Sequence, residues 1–204
     1  VFEINRNFRN EGLSTIHNPE FTMLEFYEAY GTLEKTTLFV QKLVQDSISA
    51  VNDSLSITYE GKEIDFKTNF DVKSLKDLVK EKLKVDLDTE DQIFDAAKNN
   101  GLKIKKDWGW GKVLLELFET HVEKELWKPT FVKDYPYEVS PLSRRKDDNA
   151  DYTDRIELFI AGREFANFFC ELNDPTDQEE RFMQQVKQKD SGDEEAMLYD
   201  DDYI

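Results

Sequence analysis

The sequence predicts an α+β fold, an antiparallel β-sheet flanked by helices with a small helical insert, and three observations predict it. Residues 1–30 read as two strand-like arms about a polar turn, residues 33–52 carry apolar side chains at helical spacing, and residues 74–127 switch to short helices before strand-like residues return at Pro129. On that pattern the chain parses into residues 1–73 (hairpin, helix and sheet), 74–128 (helical insert) and 129–204 (remaining strands and a following helix).

Composition narrows the setting. A chain of 204 residues, 39% hydrophobic and 13% aromatic, can bury a sizeable core. No apolar run approaches the roughly 20 residues of a membrane span and no signal-peptide pattern opens the chain, so the expectation is a cytoplasmic protein with neither membrane nor DNA as partner. The single cysteine, Cys170, excludes an internal disulfide and reads as a small core residue; with His17 and His121 as the only histidines, a zinc site is not expected. A formal net charge of −17 argues against a phosphate-backbone grip by this segment, so the basic contacts of any RNA partner are expected elsewhere.

The first arm places Arg9 and Glu11 on one face, because strand side chains repeat every two residues, and the second places Phe21, Met23, Glu25 and Tyr27 together for the same reason. Gly12, Ser14, Asn18 and Pro19 between them are turn and loop formers. Two readings of this hairpin stand open: an amphipathic element with a solvated charged face, or a pocket for a zwitterion or nucleotide, since arginine is a planar fork for phosphate or carboxylate and phenylalanine can stack on a base.

Leu33, Val40, Val44, Ile48 and Val51 define a helix packed on a sheet, and Leu55 to Phe66 alternates around Glu60-Gly61 as a short hairpin. Ser74 starts a helix; Thr89 with Gln92 forms a capping box for the next, which Asn100-Gly101 stops; and Val113 to Leu126 carries Leu114, Leu117, Phe118 and His121 on one stripe. His121 reads as a satisfied core or edge histidine and Trp108-Gly109-Trp110-Gly111 as a packed connector. Pro129 to Tyr135 is strand-like, and Arg144 to Asp154 reads as a mobile polar loop whose Arg144 and Arg145 are either solvated or available to RNA or phosphate.

Arg155 to Leu172 predicts two strands around Ala161-Gly162, with Ile160 opposite Arg163, Phe159 opposite Glu164, and Glu157 on the face of Glu164. Two carboxylates on one face either point to solvent or hold a hard cation such as Mg2+. Strict alternation puts Asn167, Phe169 and Glu171 on the face away from Glu164. Asp174 as N-cap and Pro175 open a last helix with Phe182, Met183 and Val186 as its apolar side, and the acidic end through Asp202 is expected to begin another.

The string FRNEG…HNPEFTMLEFYEAY resembles motif 2 of the class II aminoacyl-tRNA synthetases, in the wording of the lysyl-tRNA synthetases. EVSPL at 138–142, TDRIELFIAGRE at 153–164, ELNDP at 171–175 and GDEEAMLYDDDY at 192–203 follow in that family's order and spacing, so the resemblance covers essentially the whole chain. It implies a partial class II catalytic core that activates lysine with ATP and transfers it to tRNA(Lys). Position by position it implies that Arg9, as the catalytic residue, bridges the lysine carboxylate and the α-phosphate. Glu11 accepts from the adenine amino group, Phe21 stacks on the ring, and His17 and Asn18 touch phosphates or sugar. Glu171 and Tyr27 hold the lysine ammonium, Glu25 supports them, Asn167 and Phe169 shape the pocket, and Glu157 and Glu164 bind Mg2+ on the ATP phosphates. Since the family uses both faces of the last strand in one pocket, the resemblance also predicts a β-bulge near Phe165-Ala166.

The departures from the family are Ile16, where many bacterial relatives have arginine, and Ala166 and Phe168, where small residues are usual. The resemblance further implies a fragment: motif 1, motif 3 and an anticodon-binding domain are expected in a longer, homodimeric parent, and the segment alone is expected to be weakly active or inactive. Two other readings are a ligase that attaches a lysine to a translation elongation factor and a synthetase-like interaction module without catalysis.

Overall fold

The computed structural model describes residues 1–9, 17–190, 196 and 198–204. It divides into two compact units, residues 1–32 and residues 33–204. Glu11 and Ile16 lie outside the described residues.

The first unit is an antiparallel hairpin of β1 (Phe2–Phe8) and β2 (Glu20–Phe26). Its register pairs Glu3 with Glu25, Asn5 with Met23 and Asn7 with Phe21, which makes one face polar with Phe21 at its end. The other face carries Phe2, Ile4, Phe8 and Leu24, all exposed. Beyond the ladder, the Arg9 N–H donates to the Pro19 carbonyl at 2.9 Å, so Arg9 continues the alternation that puts it on the Phe21 face.

The second unit opens with α1 (Leu33–Val51), which packs on the strands β7 and β8 described below, as its apolar spacing predicts. The small hairpin β3 (Ser56–Tyr59) and β4 (Lys62–Asp65) follows, turning through Glu60 and Gly61 with φ of 47° and 77°. The main sheet has the order β5-β6-β7-β8, from β5 (Asp71–Ser74), β6 (Thr130–Pro136), β7 (Tyr152–Ile160) and β8 (Arg163–Phe169). The expected antiparallel sheet is thus mixed: β5 runs parallel to β6 and the other two pairs are antiparallel. Parallel neighbours need a crossover of a dozen or more residues, and the helices of residues 75–121 supply it.

Those helices start and stop where the sequence marks them. The Ser74 hydroxyl accepts from the Asp77 N–H to cap α2 (Leu75–Leu83), and Thr89 and Gln92 form the reciprocal capping box of α3 (Glu90–Asn99). Helix α4 spans Trp110–His121 and begins earlier than the apolar stripe indicates, so Trp110 and Gly111 belong to its first turn and not to a connector. The missing N-cap side chain is supplied from outside: Glu138 accepts from the Gly111 N–H at 2.9 Å. A Cβ on Gly111 would lie 2.6 Å from the Pro136 Cβ, so this approach requires glycine. After His121 the chain tightens to a 3-10 turn at Glu123–Glu125. The Nε2 atom of His121 is buried without a hydrogen-bond partner, so the imidazole is not the satisfied one that its position implies.

Leu75, Val79, Leu114, Leu117 and Phe118 form a core with Val132, Tyr135 and Phe159 on one side of the sheet. On the other side Phe66, Phe70, Phe131 and Phe168 contact in series, with centroids 5.8–6.1 Å apart. Phe168 thus fills space behind the strand that carries Asn167.

Helix α5 (Pro175–Asp190) starts on Asp174, whose carboxylate accepts from the Thr176 N–H at 2.9 Å. Its buried side is Gln178, Arg181 and Phe182; Met183 is exposed, contrary to the apolar side expected from periodicity. Among the described residues from 198 to 204 there is a turn at 201–203 and no further helix, and Tyr199 meets the Phe182 ring edge-on while Tyr203 meets it tilted. The segment from Arg144 to Asp154 is pinned and not a loose loop: Arg144 pairs with Asp147 and Asp154, Arg145 with Asp177, and Lys146 with Asp134. Both arginines are therefore committed to acidic neighbours. Among the described residues, no helix is long and apolar enough to cross a membrane.

Candidate functional site

On the hairpin, the register collects the sequence-predicted residues on one face. The Arg9 guanidinium lies 5.4 Å from the centre of the Phe21 ring, a cation against an aromatic face. Two residues along from Phe21 and Met23, Glu25 accepts a 2.6 Å hydrogen bond from the Tyr27 hydroxyl. His17 and Asn18 are exposed in the approach to β2. This face offers a fixed guanidinium, an aromatic ring and a tyrosine–carboxylate pair.

In the second unit the site residues are aligned by one extra residue. The Ala161-Gly162 turn, with φ of 54° and 69°, pairs Ile160 with Arg163 and Phe159 with Glu164 as predicted. The ladder then shifts between Leu158 and Phe159, so that Leu158 pairs with Ala166, Glu157 with Asn167 and Arg155 with Phe169. Phe165 is the residue left over, 63% exposed. This is the predicted bulge, and it brings Asn167 and Phe169 to the face of Glu157 and Glu164, where an unbroken strand would turn them away. Glu171 follows at an isolated bridge to Ser143.

Arg155 ties this face together. It donates to Glu157 at 2.6 Å, to Asn167 at 3.3 Å and to the Val139 carbonyl at 2.8 Å, and lies 4.7 Å from the centre of the Tyr135 ring. The Tyr135 hydroxyl donates to the second Glu157 oxygen at 2.6 Å. Glu157 is 7% exposed, so this pairing is what permits a buried carboxylate there. Burial, and then the field of Glu157, push the Tyr135 hydroxyl well above its usual range.

Acidic neighbours crowd the same place. Burial, reinforced by Glu116, Glu123 and Glu157 against the lowering effect of Lys112, pushes the Glu119 carboxyl up to about 7. Burial also raises Glu123, and burial alone raises Glu171. Among the described residues no three acidic, histidine or cysteine side chains are gathered as a metal cage. A Mg2+ ion held by one or two carboxylates and the phosphates of a nucleotide needs no such cage; both Glu157 oxygens already accept, from Arg155 and Tyr135, so its remaining lone pairs and the Glu164 carboxylate are the donors that fit it.

Sequence reasoning missed Arg155, Tyr135, Glu119 and Arg181. Arg155 was accessible, since it lies two residues from Glu157 on a strand. Tyr135 was not, because its face depends on the left-handed Asp134 (φ 61°) and the register shift between Lys133 and Tyr135. A polar cavity of about 270 Å³ near the start of α2, lined by Ser74, Lys76, Asp134 and Tyr152 among others, includes none of the predicted site residues.

The family model described as tRNA synthetases class II (D, K and N) matches residues 1–204. Similar proteins include a lysine–tRNA ligase of Vesicomyosocius okutanii subsp. Calyptogena okutanii and one of Magnetococcus marinus, each 50% identical over all of this chain and 42% of the relative. A lysine–tRNA ligase of Idiomarina loihiensis is also 50% identical, over 41% of its length. The chain therefore spans about two fifths of the length of these relatives.

Proposed function

The chain belongs to the class II tRNA synthetase family, and from that premise we propose that it forms part of the catalytic region of a lysine–tRNA ligase. In the proposed reaction the lysine carboxylate attacks the α-phosphorus of ATP in line, a new P–O bond forms, and pyrophosphate departs as the bond to the β-phosphate breaks. A hydroxyl of tRNA(Lys) then attacks the lysyl carbonyl and AMP leaves. The protein's part is to hold reactants and neutralise charge.

Arg9 is suited to the catalytic role because its planar fork can contact a carboxylate and a phosphate oxygen together as charge moves between them. Phe21 offers a stacking surface for adenine, Glu11 an acceptor for its amino group, and His17 and Asn18 polar contacts for phosphate or ribose. Glu157 and Glu164 would hold Mg2+, which when bound neutralises phosphate charge. In the second unit Glu171, beside Asn167 and Phe169, would receive the ε-ammonium, since a carboxylate whose own charge is penalised by burial gains most from a cation, and in the first unit Tyr27 and Glu25 are the proposed lysine-binding residues. The complete protein is proposed to act on tRNA(Lys) as a homodimer.

The observation that carries this reading is the bulge at Phe165, which puts Glu157, Glu164, Asn167 and Phe169 on one face. The relatives' names favour the tRNA ligase over an elongation-factor ligase. The test is a thermal melt with a non-hydrolysable lysyl-adenylate analogue, using the aspartyl analogue as control. A rise confined to the lysyl analogue is expected; equal response to both, or none in a folded protein, would reject lysine specificity.

A further inference from the structure

The buried side of α5 is polar. Arg181, 3% exposed, donates through Nη1 to the carbonyls of Ser140 at 2.8 Å and Ser143 at 2.7 Å, and through Nε and Nη2 to the Asp177 carboxylate at 3.0 and 2.8 Å. Gln178, also 3% exposed, donates to the Pro141 carbonyl at 3.1 Å. Asp177 is held in turn by Arg145, whose guanidinium stacks 4.0 Å from the Tyr137 ring centre.

These acceptors belong to one short segment. Residues 140–144 run beside residues 170–172, with the Leu172 N–H donating to the Leu142 carbonyl at 2.9 Å and the Arg144 N–H to the Cys170 carbonyl at 2.8 Å. Ser143 pairs with Glu171 in the bridge between them. Ser140 and Ser143 are 1% and 2% exposed, so their carbonyls need donors, and the segment itself supplies one, the Ser143 N–H to the Ser140 carbonyl at 3.1 Å. Arg181 supplies the Ser143 carbonyl and gives Ser140 a second donor, and Gln178 supplies Pro141. The backbone that fixes Glu171 is therefore itself fixed from behind by α5.

We propose that Arg181, with Gln178, is a positioning pair for lysine recognition: it fixes residues 140–144 and through them the place of Glu171, without touching substrate. The inference rests on the reading of Glu171 as the ammonium acceptor. It assigns to α5 a role in amino-acid affinity first, because Ser143, whose carbonyl Arg181 holds, is the bridge partner of Glu171, whereas the ATP side is reached only indirectly, through the Ser140 hydroxyl that accepts from Arg155 at 3.1 Å.

The test is lysine-dependent pyrophosphate exchange in the complete protein, with KM measured separately for lysine and ATP in R181M, R181K, Q178M and E171Q, each checked for folding by circular dichroism. R181M and R181K are expected to raise the lysine KM about tenfold and Q178M about threefold, with the ATP KM changed less than about twofold. Lysine cannot stand in for arginine here, as a point charge does not span two carbonyls and a carboxylate. If R181M does not fold, Q178M decides, since it deletes a single bond and also removes Gln178 Oε1, which is buried without a partner. An unchanged lysine KM in folded R181K and Q178M, or lysine and ATP KM rising together, overturns the proposal. An unchanged lysine KM in E171Q overturns the reading of Glu171 instead; a raised value there with unchanged Arg181 and Gln178 variants overturns only the positioning role.

Discussion

Tyr135 and Glu157, 22 residues apart on adjacent strands, meet at 2.6 Å with the tyrosine hydroxyl donating. The contact is possible because the left-handed Asp134 shifts β6 and turns Tyr135 to the face of β7 that bears Glu157. Tyr135→Phe keeps the ring and deletes the donor, leaving a buried carboxylate oxygen without its bond. A loss of about 2 kcal/mol in urea unfolding is expected. No loss would mean that water replaces the hydroxyl.

Asp177 carries a pH signature. Its hydrogen bonds and ion pairs, first with Arg181 and then with Arg145, lower its carboxyl from 3.8 to about 2. A carboxyl depressed on folding adds stability above its unfolded value and loses it as pH falls through the folded one. Asp177→Asn is therefore expected to cost about 2 kcal/mol at pH 7 and progressively less as pH falls from about 4 to 2, read from melts across that range.

Glu119 has the opposite sign. Held up at about 7, its carboxyl keeps a proton in the folded state that the unfolded chain has released, so its contribution falls as pH rises from about 4.5 to 7 and is constant above. Glu119→Gln is expected to gain less than about 1 kcal/mol over wild type at pH 8, the shift being discounted for the exposed side chain, and nothing at pH 4. An equal difference at both pH values would remove Glu119 as the titrating group.

The strands of the candidate site were legible because Ala161-Gly162 sits between two alternating runs and Asp174-Pro175 ends the pattern with a capping signal. The bulge between them was not legible in alternation, which sends Asn167 away from Glu164; it followed only from the resemblance. Helix α5 shows a different limit. Gln178 and Arg181 have the composition of a solvated face, and only the tertiary neighbours, the carbonyls of Ser140, Pro141 and Ser143 that accept from them, make it the inward one. The parallel β5–β6 pair was hidden likewise, since its partners stand 59 positions apart in the register from Asp71 to Thr130.

Gly162 closes the β7–β8 turn at φ 69°, and a Cβ there would come within 2.8 Å of the Lys124 carbonyl oxygen. Its N–H also donates to the Leu126 carbonyl at 2.9 Å, so the turn is docked and cannot swing aside. Gly162→Ala is expected to destabilise by about 2 kcal/mol, combining left-handed strain with the clash. Gly61, with nothing within 4 Å of its Cβ position, should tolerate alanine better, and comparing the two in chemical denaturation separates strain from contact.

The bulge at Phe165 makes register, not residue identity, the protected quantity in this strand. The side chain at 165 is largely solvent-facing, and many residues would serve there. Drawing the position into the ladder would rotate Asn167 and Phe169 to the far side of the sheet with every amino acid that the site uses still present, whereas deleting it sets Ala166 directly after Glu164 and keeps Glu157 opposite Asn167 and Arg155 opposite Phe169. A one-residue deletion at 165 would thus straighten the strand and keep the binding face, while deleting 165 and 166 together would set Asn167 next to Glu164 and turn it away.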